Sequence, residues 1–344
     1  MNRKDEHIQL ATSFHKEERN GFDELRFIHQ GLSSVDVNHV NLSTGFLGMK
    51  FSRPFYINAM TGGSDKALEI NGKLGQVAKK ANILIASGSV SAALKDSTQI
   101  PSFRIIRENN PTGKIFANIG ADKTYRDAIG AIGIVQADGL QIHINTAQEL
   151  IMPEGGREFS FWEENIKEIA QKIDLPILVK EVGFGMSRQT MEKLVSCGIK
   201  AIDVSGRGGT NFIRIEDARN NKHDYSYMSD WGQTTVESLL EASELEIDIL
   251  ASGGVRNALD IVKALFLGAK SVGLSGAVLH RVQEVGVDET AAWLVRLEEE
   301  VRSIFTLLGV RTIEELQEKA QVIFSSELMN YAKQRNINLK KYGV

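Results

Sequence analysis

The stretch GLQIHINTAQELIMPEGG, residues 139–156, begins as a strand and ends in a polar cluster. In its first half Gln141, His143 and Asn145 alternate with Leu140, Ile142 and Ile144. Period two puts the polar set on one face and the apolar set on the other. With the apolar face against covering helices, the polar face is expected to line a cavity mouth. Gln148 and Glu149 follow closely, so amide, imidazole and carboxylate groups gather where the strand stops.

Seven other short apolar runs end in small or polar residues in the same way. They are FYINAMTG from Phe55, ILIASGSV from Ile83, IFANIGA from Ile115, PILVKEV from Pro176, AIDVSG from Ala201, DILASGGV from Asp248 and KSVGLSG from Lys270. Strands covered on both faces read as near-continuous apolar runs. Helical patterns lie between them, in ALEINGKLGQVAKKA, FWEENIKEIAQKI, SRQTMEKLVSCG and NALDIVKALFLGA. Eight strand–helix units predict an α/β chain forming one closed (β/α)8 TIM barrel, in preference to an open doubly wound sheet. The expected single domain has an N-terminal extension over 1–54, the barrel over 55–308 and a helical tail over 309–344. In that tail Thr312, with Glu315 three residues on, has the spacing of a capping box.

Bulk properties narrow the function. A net charge of −4 lacks the basic bias of a nucleic-acid protein. The single cysteine, Cys197, excludes an internal disulfide framework or a site of several thiolates, and is expected to be a small core filler. The charged first twenty residues carry no secretory apolar core, and no apolar run reaches the roughly 18 residues of a membrane helix. A cytoplasmic protein with no membrane partner is the expectation.

The chemistry should gather at the carboxyl ends of the strands, where barrel enzymes place their sites. Two long connections start there, TAQELIMPEGGREFS after the fourth strand and GRGGTNFIRIEDARNNKHDYSYMSDWGQT after the sixth. Long connections in compact domains tend to be lids or binding loops. The seventh and eighth strands end in ASGGVR and GLSGA, where Gly253, Gly254, Ser275, Gly276 and Ala277 allow backbone N–H groups to approach a phosphate at a helix start. Arg256 reads either as a charge partner for that anion or as a solvated helix-start residue. Thr61, Gly62, Ser89, Asn118, Ser205 and Thr210 offer hydrogen bonds around something flat and polar. Lys180 is a cation in an apolar strand; it suits an anionic ring edge, or else an ion pair with Glu181 or Asp203.

RKDEHI at the start, NAMTGG, LQIHINTAQELIMPEG, VKEVGFG, DVSGRGGTNF, DWG and SGGVR occur here in one order. The combination resembles the type 2, FMN-dependent isopentenyl-diphosphate isomerase family from roughly Arg3 to Leu308. The resemblance implies a TIM barrel that uses reduced FMN, Mg2+ and NADPH as reductant. It would interconvert isopentenyl and dimethylallyl diphosphate by a 1,3-allylic proton shift, in isoprenoid biosynthesis, as a homo-oligomer (tetramer or octamer). By resemblance, Met60, Thr61, Gly62, Ser89, Asn118, Lys180, Ser205, Thr210, Gly253, Gly254, Arg256, Ser275, Gly276 and Ala277 contact FMN. Arg3, Lys4, His7, His143, Asn145 and Gln148 contact the small prenyl diphosphate, and Glu149 binds Mg2+. Gln148 and Lys180 are the expected catalytic side chains, with the flavin itself the expected principal acid/base. Where the family motif often continues MPEGDR, this chain has Gly156 in place of the acid, and WGQTT stands where WGIPT is common.

A rival reading is an FMN-dependent oxidoreductase of a small hydroxy acid or dihydro-substrate. It lacks two marks: no histidine occurs from Ser205 to Asn221, and the only cysteine lies upstream of that loop.

Overall fold

The computed structural model describes residues 5–6, 9–10, 20–220 and 222–343. The eight apolar runs form eight parallel strands: β4 (Phe55–Ile57), β5 (Ile85–Ser89), β6 (Ile115–Gly120), β7 (Gly139–His143), β8 (Ile177–Lys180), β9 (Ala201–Asp203), β10 (Asp248–Ser252) and β11 (Ser271–Leu274). They close in chain order, with β11 pairing back onto β4 through Val272–Phe55, Gly273–Tyr56 and Leu274–Ile57. This is the (β/α)8 barrel expected from the sequence.

Each wall is buried twice. Outward-facing Ile57, Ile85, Ile119, Ile142, Val179, Ile202, Ala251 and Val272 join the core shared with the surrounding helices. Inward-facing Tyr56, Ala86, Phe116, Leu178, Ala201 and Leu250 form a second core inside the barrel. Near-continuous apolar runs result, because alternate residues are buried on opposite faces for different reasons. Local signals start the helices: Thr124 and Asp127 form a reciprocal capping box for Tyr125–Val135, and the Asn257 side chain caps Ala258–Phe266.

The N-terminal extension seals the floor. A hairpin of β2 (Thr44–Phe46) and β3 (Met49–Phe51) contributes Phe46 to the inner core, with Phe51 stacked on it at 4.6 Å. Its turn places Leu47 and Gly48 both at positive φ, as a tight hairpin requires. Leu47 N–H donates to the Asp248 carboxylate at 2.7 Å, and Thr44 Oγ1 donates to the Lys270 carbonyl at 2.6 Å. Both anchors lie at the amino ends of barrel strands.

The tail differs from the sequence expectation. It contains the helices Ile313–Lys319 and Ser326–Gln334 with a strand between them, β12 (Val322–Phe324), paired antiparallel with β1 (Leu25–Phe27). Three residues are too few for period-two patterning to register. Thr312 does cap its helix, but the Glu315 carboxylate reaches the N–H of Arg311 at 2.7 Å, one residue before the position a reciprocal box would use. The two long connections are also partly ordered as helices, Thr146–Ile151 and Phe212–Arg219. Among the described residues, no helix is long and apolar enough to cross a membrane.

Candidate active site at the barrel mouth

The strand ends converge on one cavity of about 820 Å³ at the carboxyl end of the barrel. It is lined by Met60, Thr61, Ser89, Asn118, Lys180, Ser205, Thr210, Gly253, Gly254, Arg256, Ser275, Gly276 and Ala277, and by His143, Asn145, Gln148 and Glu149. The expected flavin set and the expected substrate set thus share one space. Gly62 is the exception: it is buried away from the lining, where an added Cβ would sit 2.0 Å from the Phe103 ring. Arg3, Lys4 and His7 lie outside the described residues. Of the described residues beside them, Asp5 accepts from Ser64 Oγ at 2.7 Å, and Glu6 pairs with Arg219 at 3.0 Å.

Gln141 departs from its expected place at the mouth. It is fully buried one layer below. Its Nε2 donates to Asn58 Oδ1 at 3.0 Å, from β7 to the end of β4, three strands away around the wall. Such a bond can only cross the interior. Asn58 in turn donates to Asp203 on β9 at 2.8 Å. Asp203, with no exposed surface, also accepts from Tyr56 Oη at 2.8 Å, from Ser252 Oγ at 2.8 Å and from Ser205 N–H at 3.1 Å. Burial and the Asp203 charge hold the Tyr56 phenol well above its usual range. Polar Asp203 inside AIDVSG is the sequence signal for this network; its partners cannot be read there because they come from other segments.

Lys180 is buried at the cavity wall and donates to the Glu181 carbonyl oxygen at 2.6 Å, rather than to a carboxylate. Burial pushes its ammonium pKa down, against the raising pull of Asp203 and Glu181. The Glu181 carboxylate turns away and accepts from the N–H groups of Val182, Gly183 and Phe184 at 2.6, 2.7 and 2.6 Å. Burial outweighs these donors and raises its pKa to about 7.

The two helices of the long connections bind each other above the mouth. Gln148 Nε2 donates to the fully buried Glu216 at 3.0 Å, while Gln148 Oε1 accepts from Asn145 at 3.2 Å. Asn145 also reaches Glu149 Oε1 at 3.1 Å, and the Gly156 N–H donates to Glu149 Oε2 at 2.7 Å. Arg219 ties Glu216, Glu154 and Glu6 together; burial opposes its charge, but these three carboxylates prevail and raise its pKa above the ordinary value. Glu216 and Arg219 are not legible in the sequence, since RIEDAR looks like any solvated helix.

The glycine-rich turns form the opposite wall. Gly253 has φ +92°, and an added Cβ would lie 2.0 Å from the Gly206 carbonyl oxygen. The turns after β9 and β10 therefore pack backbone on backbone, which only glycine permits. Ser205 beside them holds a left-handed φ of 36°, a strained conformation of the kind that collects at functional sites. Arg256 braces this wall: its guanidinium pairs with Asp260 at 2.8 Å and Asp23 at 2.9 Å, and these two bonds raise its pKa above the ordinary value. Asn20 adds a bond to the Gly254 carbonyl at 2.7 Å.

A flavin mononucleotide fits this donor set. The bare turn at Gly253–Gly254 and the helix start at Gly276 suit its phosphate. Thr61 Oγ1 is buried with no hydrogen-bond partner among the described residues, and Lys180 suits an anionic ring edge. For a metal, Glu149 is a single carboxylate, and the described residues contain no cluster of three ligating side chains. A single carboxylate is compatible with Mg2+, which takes one or two and fills its shell with phosphate oxygens and water.

Comparison with known proteins supports the flavin. Residues 136–322 match the FMN-dependent dehydrogenase family. Among solved structures, a flavocytochrome b2 mutant with benzoylformate aligns with TM-score 0.66 at 20% identity, over 97% of this chain and 82% of that one. A mandelate oxidase mutant with the monooxide FMN adduct aligns with TM-score 0.62 at 16% identity, over 93% and 92%. These two share the fold. An isopentenyl-diphosphate delta-isomerase of Latilactobacillus sakei is 51% identical over 98% of this chain and 97% of its own. One from Staphylococcus saprophyticus is 44% identical over 98% of each. The chain therefore belongs to the isopentenyl-diphosphate delta-isomerase family of enzymes, built on the barrel of the FMN-dependent dehydrogenases.

Proposed function

We propose that this protein interconverts isopentenyl and dimethylallyl diphosphate by a 1,3-allylic proton shift, with reduced FMN, Mg2+ and NADPH as the source of reducing equivalents. The observation that carries the reading is the convergence of the flavin-type cradle and the His143–Glu149 segment on one cavity. When bound, reduced FMN supplies an electron-rich face and an exchangeable proton beside the alkene.

The side chains do the rest. Glu149, fixed by Asn145 and Gly156 N–H, would hold Mg2+ against the diphosphate. His143 and Asn145 would bind the same head group, joined by Arg3, Lys4 and His7. Gln148 is locked between Glu216 and Asn145, so its amide would orient the substrate or pass a proton without swinging away. Lys180 would balance negative charge on the ring edge. Met152, Phe161, Trp162 and Phe212 give the lining an apolar share that suits a prenyl chain and keeps water from the reacting carbons. A cytoplasmic homo-oligomer, tetramer or octamer, completes the reading.

The test is an anaerobic assay of the purified protein with FMN, NADPH, Mg2+ and isopentenyl diphosphate. Dimethylallyl diphosphate should form only while the flavin is reduced, and chelation should abolish the product. Turnover of hydroxy acids without isomerisation would instead support an oxidoreductase.

A further inference from the structure

Asp203 lies deep in the barrel and His143 at its mouth, and an unbroken line of amides joins them. Asn58 Nδ2 donates to the Asp203 carboxylate at 2.8 Å. Gln141 Nε2 donates to Asn58 Oδ1 at 3.0 Å, and Asn118 Nδ2 donates to Gln141 Oε1 at 2.8 Å. His143 Nδ1 meets Asn118 Oδ1 at 2.8 Å.

Amide orientation is ordinarily inferred from partners. Here the partners leave one answer. The Ser205 N–H and the Asn58 amide donate to Asp203, and the Tyr56 and Ser252 hydroxyls lie within hydrogen-bond reach of it. A backbone N–H only donates, and that of Ala59 reaches Asn58 Oδ1 at 2.8 Å. Asn58 is thus fixed from both ends, with its NH2 toward Asp203 and its oxygen toward Gln141. Each further amide must follow suit, because a flip anywhere would set N–H against N–H and oxygen against oxygen in a buried line. The last amide presents its oxygen to the imidazole.

We infer that Gln141, with Asn58, Asn118 and Asp203 behind it, is a positioning residue that fixes His143 as the Nδ1–H tautomer. Gln141 does not line the cavity. Its part is to carry the donor–acceptor polarity of the core to the mouth and to decide which ring nitrogen of His143 holds the proton. The ligand role of His143 rests on the isomerase reading above, whereas the tautomer does not.

The experiment uses the full-length, FMN-loaded, substrate-free protein with 15N-labelled histidine, at alkaline pH where the ring is neutral. Long-range 1H–15N correlation identifies the protonated ring nitrogen, and the spectrum of His143→Gln picks the resonances out from the seven histidines. Wild type should carry its proton on Nδ1. Gln141→Glu should keep it there: a protonated carboxyl donates to Asn58 and accepts from Asn118 as the amide does, and an ionised one still accepts from Asn118. Gln141→Met cuts the line, frees Asn118 to rotate, and should shift the ring toward a mixture with Nε2–H. An Nε2–H ring in wild type or in Gln141→Glu overturns the inference, even if Gln141→Met fails to fold. So does an unchanged Nδ1–H ring in folded Gln141→Met. Since no substrate is present, a failed isomerase assay leaves this result standing, and the reverse also holds.

Discussion

Glu149 reaches the cavity with both oxygens already oriented, by Asn145 on one side and the Gly156 N–H on the other. Glu149→Gln is close in size, removes the charge and gives up one of these two donors, since its NH2 group cannot accept. It should leave FMN binding intact and lower turnover by roughly 100-fold or more, the scale of losing one preorganised electrostatic contact. Flavin titration and the Mg2+ dependence of the rate check this; lost flavin binding would mean that Glu149 belongs to the cradle. Glu181 invites a different measurement. Its pKa is raised from an ordinary 4.5 to about 7 by burial. With the folded pKa the higher one, folding favours the protonated form. The associated stability is present below pH 4.5 and is lost as pH rises through about 7. Glu181→Gln stays neutral throughout, so urea unfolding on either side of this window should show the variant gaining on wild type as pH rises. A constant difference would mean that the three amide donors hold the folded carboxylate near its unfolded pKa.

The glycine turns illustrate how much an element owes to its neighbour. Gly253→Ala would press a methyl group into the Gly206 carbonyl and hold alanine at φ +92°. The backbone strain costs of order 1–3 kcal/mol before any clash is counted. Chemical denaturation should register at least that loss, together with weakened FMN binding. The turn itself can be anticipated, since SGGV closes an apolar run. Its partner cannot, because Gly206 lies 47 positions earlier and nothing in GRGG announces which backbone it will touch. The same contrast runs through the site. His143 and Glu149 are visible because strand alternation and a polar cluster coincide in one segment. Gln141 obeys that alternation yet settles below the mouth, because period two assigns a face and says nothing about depth. Glu216 is invisible because its meaning comes from Gln148, on another connection.

Taken whole, the molecule follows its hydrophobic pattern closely where strands are covered on both faces, and departs from it in the small pairings outside the barrel. All eight barrel strands coincide with apolar runs, since each must be covered both by helices and by the inner core. The hairpin under the floor and the strand in the tail are three-residue pairings, chosen by what they lie against more than by their own composition. One of these pairings bears on how the chain is made. Leu25–Phe27 finds its sheet partner only at Val322–Phe324. On the ribosome, at ~5–20 residues per second, the earlier strand waits roughly 15–60 s for the later one to be synthesised. Until then the strand in the N-terminal extension has an unzipped edge, and for that interval its protection falls to chaperones or to the nascent barrel beside it.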